Sequence, residues 1–112
     1  MAIVNQYKFY AKTTTAAETV NMLSPGVNET IIVRSLRVTN KSGSNTPTIS
    51  ILNDSVFIVH TQQLAVNTSV EILTLPLIVE GGKILKYTTA GTMSDGVDIG
   101  ISNLNILKEK TD

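Results

Sequence analysis

The chain has 112 residues, no cysteine, and nine basic against nine acidic side chains, so its formal net charge is zero. That length suits one domain able to bury a core without covalent staples, and the missing cysteines exclude disulfides and thiolate metal sites. Zero net charge removes the long-range attraction to phosphate on which nucleic-acid binding rests, so nucleic acid is not an expected partner.

The apolar residues are mainly Ile, Val and Leu, with no Trp and few aromatics, and Thr, Ser and Asn fill much of the rest. This mixture favours pleated strands and turns over helices. No apolar run reaches ~18 residues, so no membrane-spanning helix is expected. The opening MAIVNQYKFYAK lacks the apolar stretch and cleavage site of a signal peptide, which leads to an expectation of synthesis and retention in the cytosol.

Gln6 to Lys12 alternates, placing Tyr7, Phe9 and Ala11 on one face, with Tyr7 expected to pack inward, and Lys8, Tyr10 and Lys12 on the other. The surrounding segment, residues 1–15, is either the first strand of its own sandwich or an arm that adds a strand to a neighbour. Thr19 to Leu23 is a short strand stopped by Ser24-Pro25-Gly26, where Pro-Gly fits a type II turn with Gly26 at positive φ. Thr30 to Gly43 reads TIIVRSLRVTNKSG. Ile31 and Val33 have one parity, Leu36 and Val38 the other, so a bulge near Arg34-Ser35 is expected to reset the register and leave both Arg34 and Arg37 outside.

Asn40 to Asn45 is a loop by composition. Thr48 to Leu52 and Val56 to His60 flank Asn53-Asp54-Ser55, whose short polar side chains suit a tight hairpin. Val70 to Leu73 is a strand, Pro76 interrupts pairing, and Glu80-Gly81-Gly82 turns the chain into Lys83 to Tyr87. Asp95-Gly96 reads as a hairpin turn opening the last strand, in which Val97, Ile99, Ile101, Leu104 and Ile106 are expected to point inward. The closing KEKTD is a charged tail. About eight strands with turn signals every ten residues or so describe a single all-β domain over residues 1–112, an antiparallel, jelly-roll-like β-sandwich.

Chemistry-bearing constellations are sparse. His60 is the only histidine and closes an apolar strand without partners for general-base or zinc work. Asp95 and Asp98 lack the ligand spacing of a calcium loop. Gly81-Gly82 matches neither a dinucleotide nor a phosphate loop, and no serine sits in a nucleophile elbow. No catalytic, metal or cofactor site is expected. A sugar-binding module would need flat aromatic platforms, for which Tyr7, Tyr10 and Tyr87 are the candidates.

The run Leu23-Ser24-Pro25-Gly26, Glu29 to Asn40, then Ser42-Gly43 resembles small structural proteins of tailed-bacteriophage virions. The resemblance continues through Ile49-Ser50-Ile51, Pro76 to Val79 and Gly82 to Leu85 to a closing strand at Val97 to Leu104. Lys83 stands where such proteins often carry Asp. The resemblance implies a non-enzymatic sandwich of the virion, assembled in the host cytoplasm and packed on the major capsid protein or other virion proteins. A capsid decoration or cement protein is the first expectation; a neck, tail or fibre component, or a carbohydrate-binding module, is the alternative. Near-zero charge and sheet edges to cover suggest a homo-oligomer, with a trimer favoured. The expected contact residues are Tyr7, Phe9, Tyr10, Arg34 and Arg37.

Overall fold

The apolar-polar alternation becomes an all-strand structure in the computed structural model, which describes residues 3–108. The strands are β1 (Ile3–Thr14), β2 (Thr19–Leu23), β3 (Glu29–Asn40), β4 (Thr48–Asn53), β5 (Val56–Gln63), β6 (Thr68–Glu71), β7 (Leu77–Val79), β8 (Leu85–Ala90) and β9 (Val97–Lys108). No helix occurs among the described residues, and so none long and apolar enough to cross a membrane.

Two antiparallel sheets form, ordered β1-β9-β3-β6, with β7 also on β3, and β2-β8-β4-β5. β6 pairs with Arg37–Asn40 of β3 and β7 with Ile31–Val33, so the two short strands share one sheet position. Counted together, they leave eight positions in which first pairs with last, second with seventh, third with sixth and fourth with fifth. That is a long hairpin rolled into two facing sheets, the jelly roll. The ninth strand arises because Pro76, which cannot donate to a ladder, breaks the sixth position.

The core lies between the sheets. Val33, Leu36 and Val38 of β3, Ile49 and Ile51 of β4, Leu85 and Tyr87 of β8, and Val97, Ile99 and Ile101 of β9 are buried in it. The parity conflict in β3 is resolved as expected: its pairing with β9 slips between Val33 and Ser35. Ile31, Val33, Leu36 and Val38 all point inward, while Arg34 and Arg37 are exposed. The backbone freed by the bulge is held by Glu71. Its carboxylate accepts from the Leu36 N–H at 2.8 Å, from the Leu73 N–H at 3.3 Å, and from the Ser35 hydroxyl. Where β3 ends, Asn40 is fully buried and pins the following loops: its Nδ2 donates to the carbonyls of Asn45 (2.9 Å) and Leu64 (3.1 Å).

Several local expectations need correction. Tyr7 and Phe9 face solvent, because the inner parity of β1 is that of Tyr10 and Thr14. The described part of residues 1–15 pairs with β9 along all of β1, making it the first strand of its own sheet. Leu104 and Ile106 are on the outer face: strict alternation from Val97 brings Asn103 and Asn105 inward instead. Asp95-Gly96 does form a turn, with the Gly96 N–H donating to the Met93 carbonyl at 2.9 Å and Gly96 at φ 93°, but it carries the chain between sheets and closes no hairpin. The β4–β5 hairpin turns at Asp54-Ser55 as expected, with Asp54 at φ 60°. β5 continues past His60 to Gln63. The charged tail beyond Lys108 lies outside the described residues.

Gly26 is not in the left-handed region; it opens a turn to Glu29, whose N–H donates to the Gly26 carbonyl at 3.0 Å. The positive φ next to this turn belongs to Gly82 (φ 85°), in the turn from Glu80 to Lys83. The two turns interlock. The Gly82 N–H donates to the Pro25 carbonyl at 3.0 Å, and a Cβ on Gly81 would meet the Gly26 carbonyl oxygen at 2.5 Å.

Candidate interaction surface

Cross-strand partners share a face of a sheet. In the five-stranded sheet, Tyr7 on β1 lies opposite Leu104 on β9, Leu104 opposite Ile32 on β3, and Ile32 opposite Ile78 on β7. This row crosses four strands on the outer face, away from the core. Its ends are open, Tyr7 at 74% and Ile78 at 55% exposure, and its middle is half-buried. One step along, Phe9 (68% exposed) lies opposite Ser102, and its ring tip covers Gly100, where a Cβ would come within 2.9 Å of it. Gly100 gives the ring room to lie flat on the sheet.

Two cations border the stripe. The Arg34 guanidinium stands 5.9 Å from the centroid of the Tyr7 ring, within cation–π range. Arg37 lies opposite Gly100 on one side and Glu71 on the other. Among the described residues neither arginine has a carboxylate at ion-pair distance; the two ion pairs are Lys41–Asp98 and Lys83–Asp54. A cleft of about 380 Å³ opens between Tyr7, Phe9, Arg34 and Ser102.

Four of the five expected contact residues, Tyr7, Phe9, Arg34 and Arg37, are therefore brought together on one face. Tyr10 is not among them. It turns inward opposite Ile101 and packs against the core. Ile32, Ile78 and Leu104 belong to the stripe but carry no motif, and only the pairing register places them there. Tyr87 is fully buried and cannot serve as a sugar platform.

A smaller apolar exposure lies on edge strand β5, where Val56, Phe57 and Ile58 are successive open side chains. Pairing with β4 slips twice there, which disrupts the alternation that would hide every second residue. His60 is exposed beside Phe57, ring centroids 4.6 Å apart and edge-on. Among the described residues no three His, Asp or Glu side chains gather as a metal site would require.

The electrostatics of the sheet are those of a fastened bulge. Burial alone would raise the Glu71 carboxyl, but hydrogen bonds from Ser35, Leu36 and Leu73, together with the charge of Arg37, outweigh it and hold the group below the usual glutamate range. Glu29 is lowered by the Gly26 N–H and Asn105, and Asp98 by the Thr13 hydroxyl and Lys41. A carboxyl lowered on folding stabilises the fold above its unfolded pKa, and that contribution is lost as pH falls through the folded value. Stability is thus expected to decline below pH 4.5, the ordinary glutamate value. Glu71→Gln should cost about 1 kcal/mol at neutral pH, a hydrogen-bond loss discounted for exposure. It should also flatten the decline between neutral pH and pH 3 relative to the parent. Urea midpoints at the two pH values measure this; identical slopes would contradict it.

No family model matches the sequence, and no curated protein does. Solved structures of infectious bursal disease virus, of the Gt and Gx strains, are similar to it with TM-scores of 0.43 and 0.44 and sequence identities of 10% and 9%. Each match covers 94% of this chain but 32% and 35% of the other, so this chain spans about a third of their length.

Proposed function

We propose that the chain is a non-enzymatic structural protein of a virion, attached to neighbouring virion proteins through the outer face of its five-stranded sheet. The observation that carries the docking is the stripe from Tyr7 to Ile78, apolar, open at both ends and flanked by Arg34 and Arg37, neither of which has a carboxylate at ion-pair distance among the described residues. Such a surface fits a partner with an apolar patch bordered by carboxylates, since a neighbour's acid would pair Arg34 and Arg37 bidentately. The virion assignment is supported by the motif run from Leu23 to Leu104 that resembles tailed-phage structural proteins. Jelly rolls serve viral capsid, lectin and cupin domains alike, so the fold alone selects none of these.

In its specific form the proposal is a head decoration protein, trimeric on the lattice. Many modest contacts repeated over a shell act with avidity, and whatever binds only the assembled shell stabilises it by mass action. The test is co-sedimentation of the purified chain with tailed-phage heads assembled without it. Saturable binding is expected, together with a raised temperature of head disruption. Tyr7→Glu and Ile78→Glu, both at open positions, should weaken binding by more than about tenfold while leaving the melting curve in place; Phe57→Glu on β5 should not. A wild-type chain that stays in the supernatant, or binding indifferent to Tyr7→Glu and Ile78→Glu, would overturn the proposal. Light scattering of the bound and free protein reads the trimer.

A further inference from the structure

Both sheets end in free strand edges, and most of these carry a guard against pairing with another chain. The longest, β1, places Lys8 and Lys12 on the inward parity of Tyr10, and inward-pointing charge on an edge deters a further strand. β2 is five residues long and slips in register, while β6 and β7 have four and three residues and are parted by Pro76. β5 is the exception. It runs eight residues, Val56–Gln63, at the end of the four-stranded sheet without one Lys, Arg, Asp or Glu. Among the described residues nothing pairs with its outer edge. Its two slips against β4 bend the strand but put no charge on it, and they leave Val56, Phe57 and Ile58 open in succession. The His60 ring, edge-on to Phe57, extends that exposed surface.

We infer that the outer edge of β5 pairs antiparallel with β5 of a second copy of this chain, about a two-fold axis at Phe57. A free edge is complementary to another copy of itself, since each offers N–H donors and C=O acceptors at the same spacing. Self-pairing fails where like charges come face to face, and β5 has none to oppose. A foreign strand selected by charge finds nothing on β5 to pair with, for the same reason. The apolar end sets the register. With Phe57 on Phe57, Val56 falls opposite Ile58, and Asp54 comes level with His60 of the other copy. The aromatic pair is favourable across an antiparallel ladder. Asp54, whose own neighbour is Lys83, meets an imidazole able to donate and not a second acid. Aligning the strands end to end would instead set Val56 and Phe57 against Gln63 and Gln62. The contact from Asp54 to His60 spans roughly 23 Å and buries less than the ~800 Å² per partner of a stable interface. The dimer is therefore weak, with a Kd above about 1 μM. It is a contact of the free chain through the four-stranded sheet, and it stands apart from the docking stripe and from the arrangement proposed on the lattice.

Sedimentation equilibrium of the full chain from about 10 μM to 1 mM reads the contact. The apparent mass is expected to climb with concentration towards that of a dimer. Phe57→Glu and Phe57→Lys each set like charges on the axis and should weaken association by about tenfold or more. Their equimolar mixture opposes the two charges and should recover it. Tyr7→Glu, on the docking stripe, should associate like the parent, so a failure here is told apart from a failure of head binding. Backbone amides of β5 in the unaltered chain should exchange more slowly at the higher concentration, a measurement that stands even if a variant does not fold. The inference is overturned if the parent's mass is independent of concentration, or if either charged variant associates as the parent does. It is equally overturned if the mixture recovers nothing, or if the β5 amides exchange alike at both ends of the range.

Discussion

Replacing Leu36 by alanine is expected to destabilise the fold by about 3–5 kcal/mol, and replacing Ile32 by about 1 kcal/mol. The contrast comes from the bulge. Leu36 is fully buried immediately after the slip in register, and its own backbone is gripped at both ends, N–H by Glu71 and carbonyl by the Ile72 N–H at 2.8 Å. Neighbouring groups so fastened cannot collapse into the space a leucine leaves, which places the cost towards the upper part of the range for such truncations. Ile32 lies on the outer face, half-buried between Leu104 and Ile78. An unbulged β3 would keep Ile31 and Val33 inside and send Leu36 and Val38 out, so Leu36→Ala would then cost little. Urea unfolding at constant m-value measures both variants. Comparable costs, or a larger one at Ile32, would show that the register is not the one described. A domain of this size has only about 5–15 kcal/mol in total, so the Leu36 variant should sit close to its limit.

That bulge was legible in the sequence because the conflict of parities lies within one strand: four β-favouring apolar residues cannot all be buried without an extra residue between them. Most strand positions were legible for the same reason, local alternation bounded by turn residues. The errors share a different cause. Alternation alone puts Tyr7 and Phe9 on one face but does not say which face is inner, and the expectation of an inward Tyr7 fails because β1 is an edge strand whose inner parity belongs to Tyr10 and Thr14. An inward Leu104 and Ile106 follows hydropathy but runs against the period of two that Val97, Ile99 and Ile101 set. The period instead places Asn103 and Asn105 inside. The turn at Gly26 departs from its local signal, because Pro-Gly favours type II whereas here the backbone is fixed from a distance by Gly81 and Gly82 packing against it. The interaction stripe depends on register between strands far apart in sequence, such as Tyr7 with Leu104 and Ile32 with Ile78. Its arginines and aromatics could be named from the sequence; its aliphatic members could not.

Deleting residues 1–12 is expected to abolish cooperative folding, a loss exceeding about 5 kcal/mol, the lower end of the stability of domains of this kind. β1 pairs with β9 from Ile3 to Thr14, and the truncation removes roughly ten ladder hydrogen bonds. It also takes away Tyr10, which lies over Ile101 at the margin of the core. β9 would then become an edge strand while carrying the inward series Val97, Ile99 and Ile101, a long, open template for pairing with other chains. The expected observations are a broad thermal transition in place of a single melt, and aggregation on concentration. An arm reaching to a neighbouring subunit makes the opposite forecast: the shortened protein would keep its sharp melt and lose only self-association or attachment to the lattice. Tyr7→Glu separates the two contributions of this strand, because that side chain is open to solvent and the ladder does not depend on it. If the truncated chain unfolds while Tyr7→Glu folds normally and fails to bind heads, β1 is both the closing strand of the sheet and the aromatic end of its docking stripe. If the truncated chain melts cooperatively at the parent temperature, β1 is no part of the cooperative unit, and its pairing with β9 contributes nothing to stability.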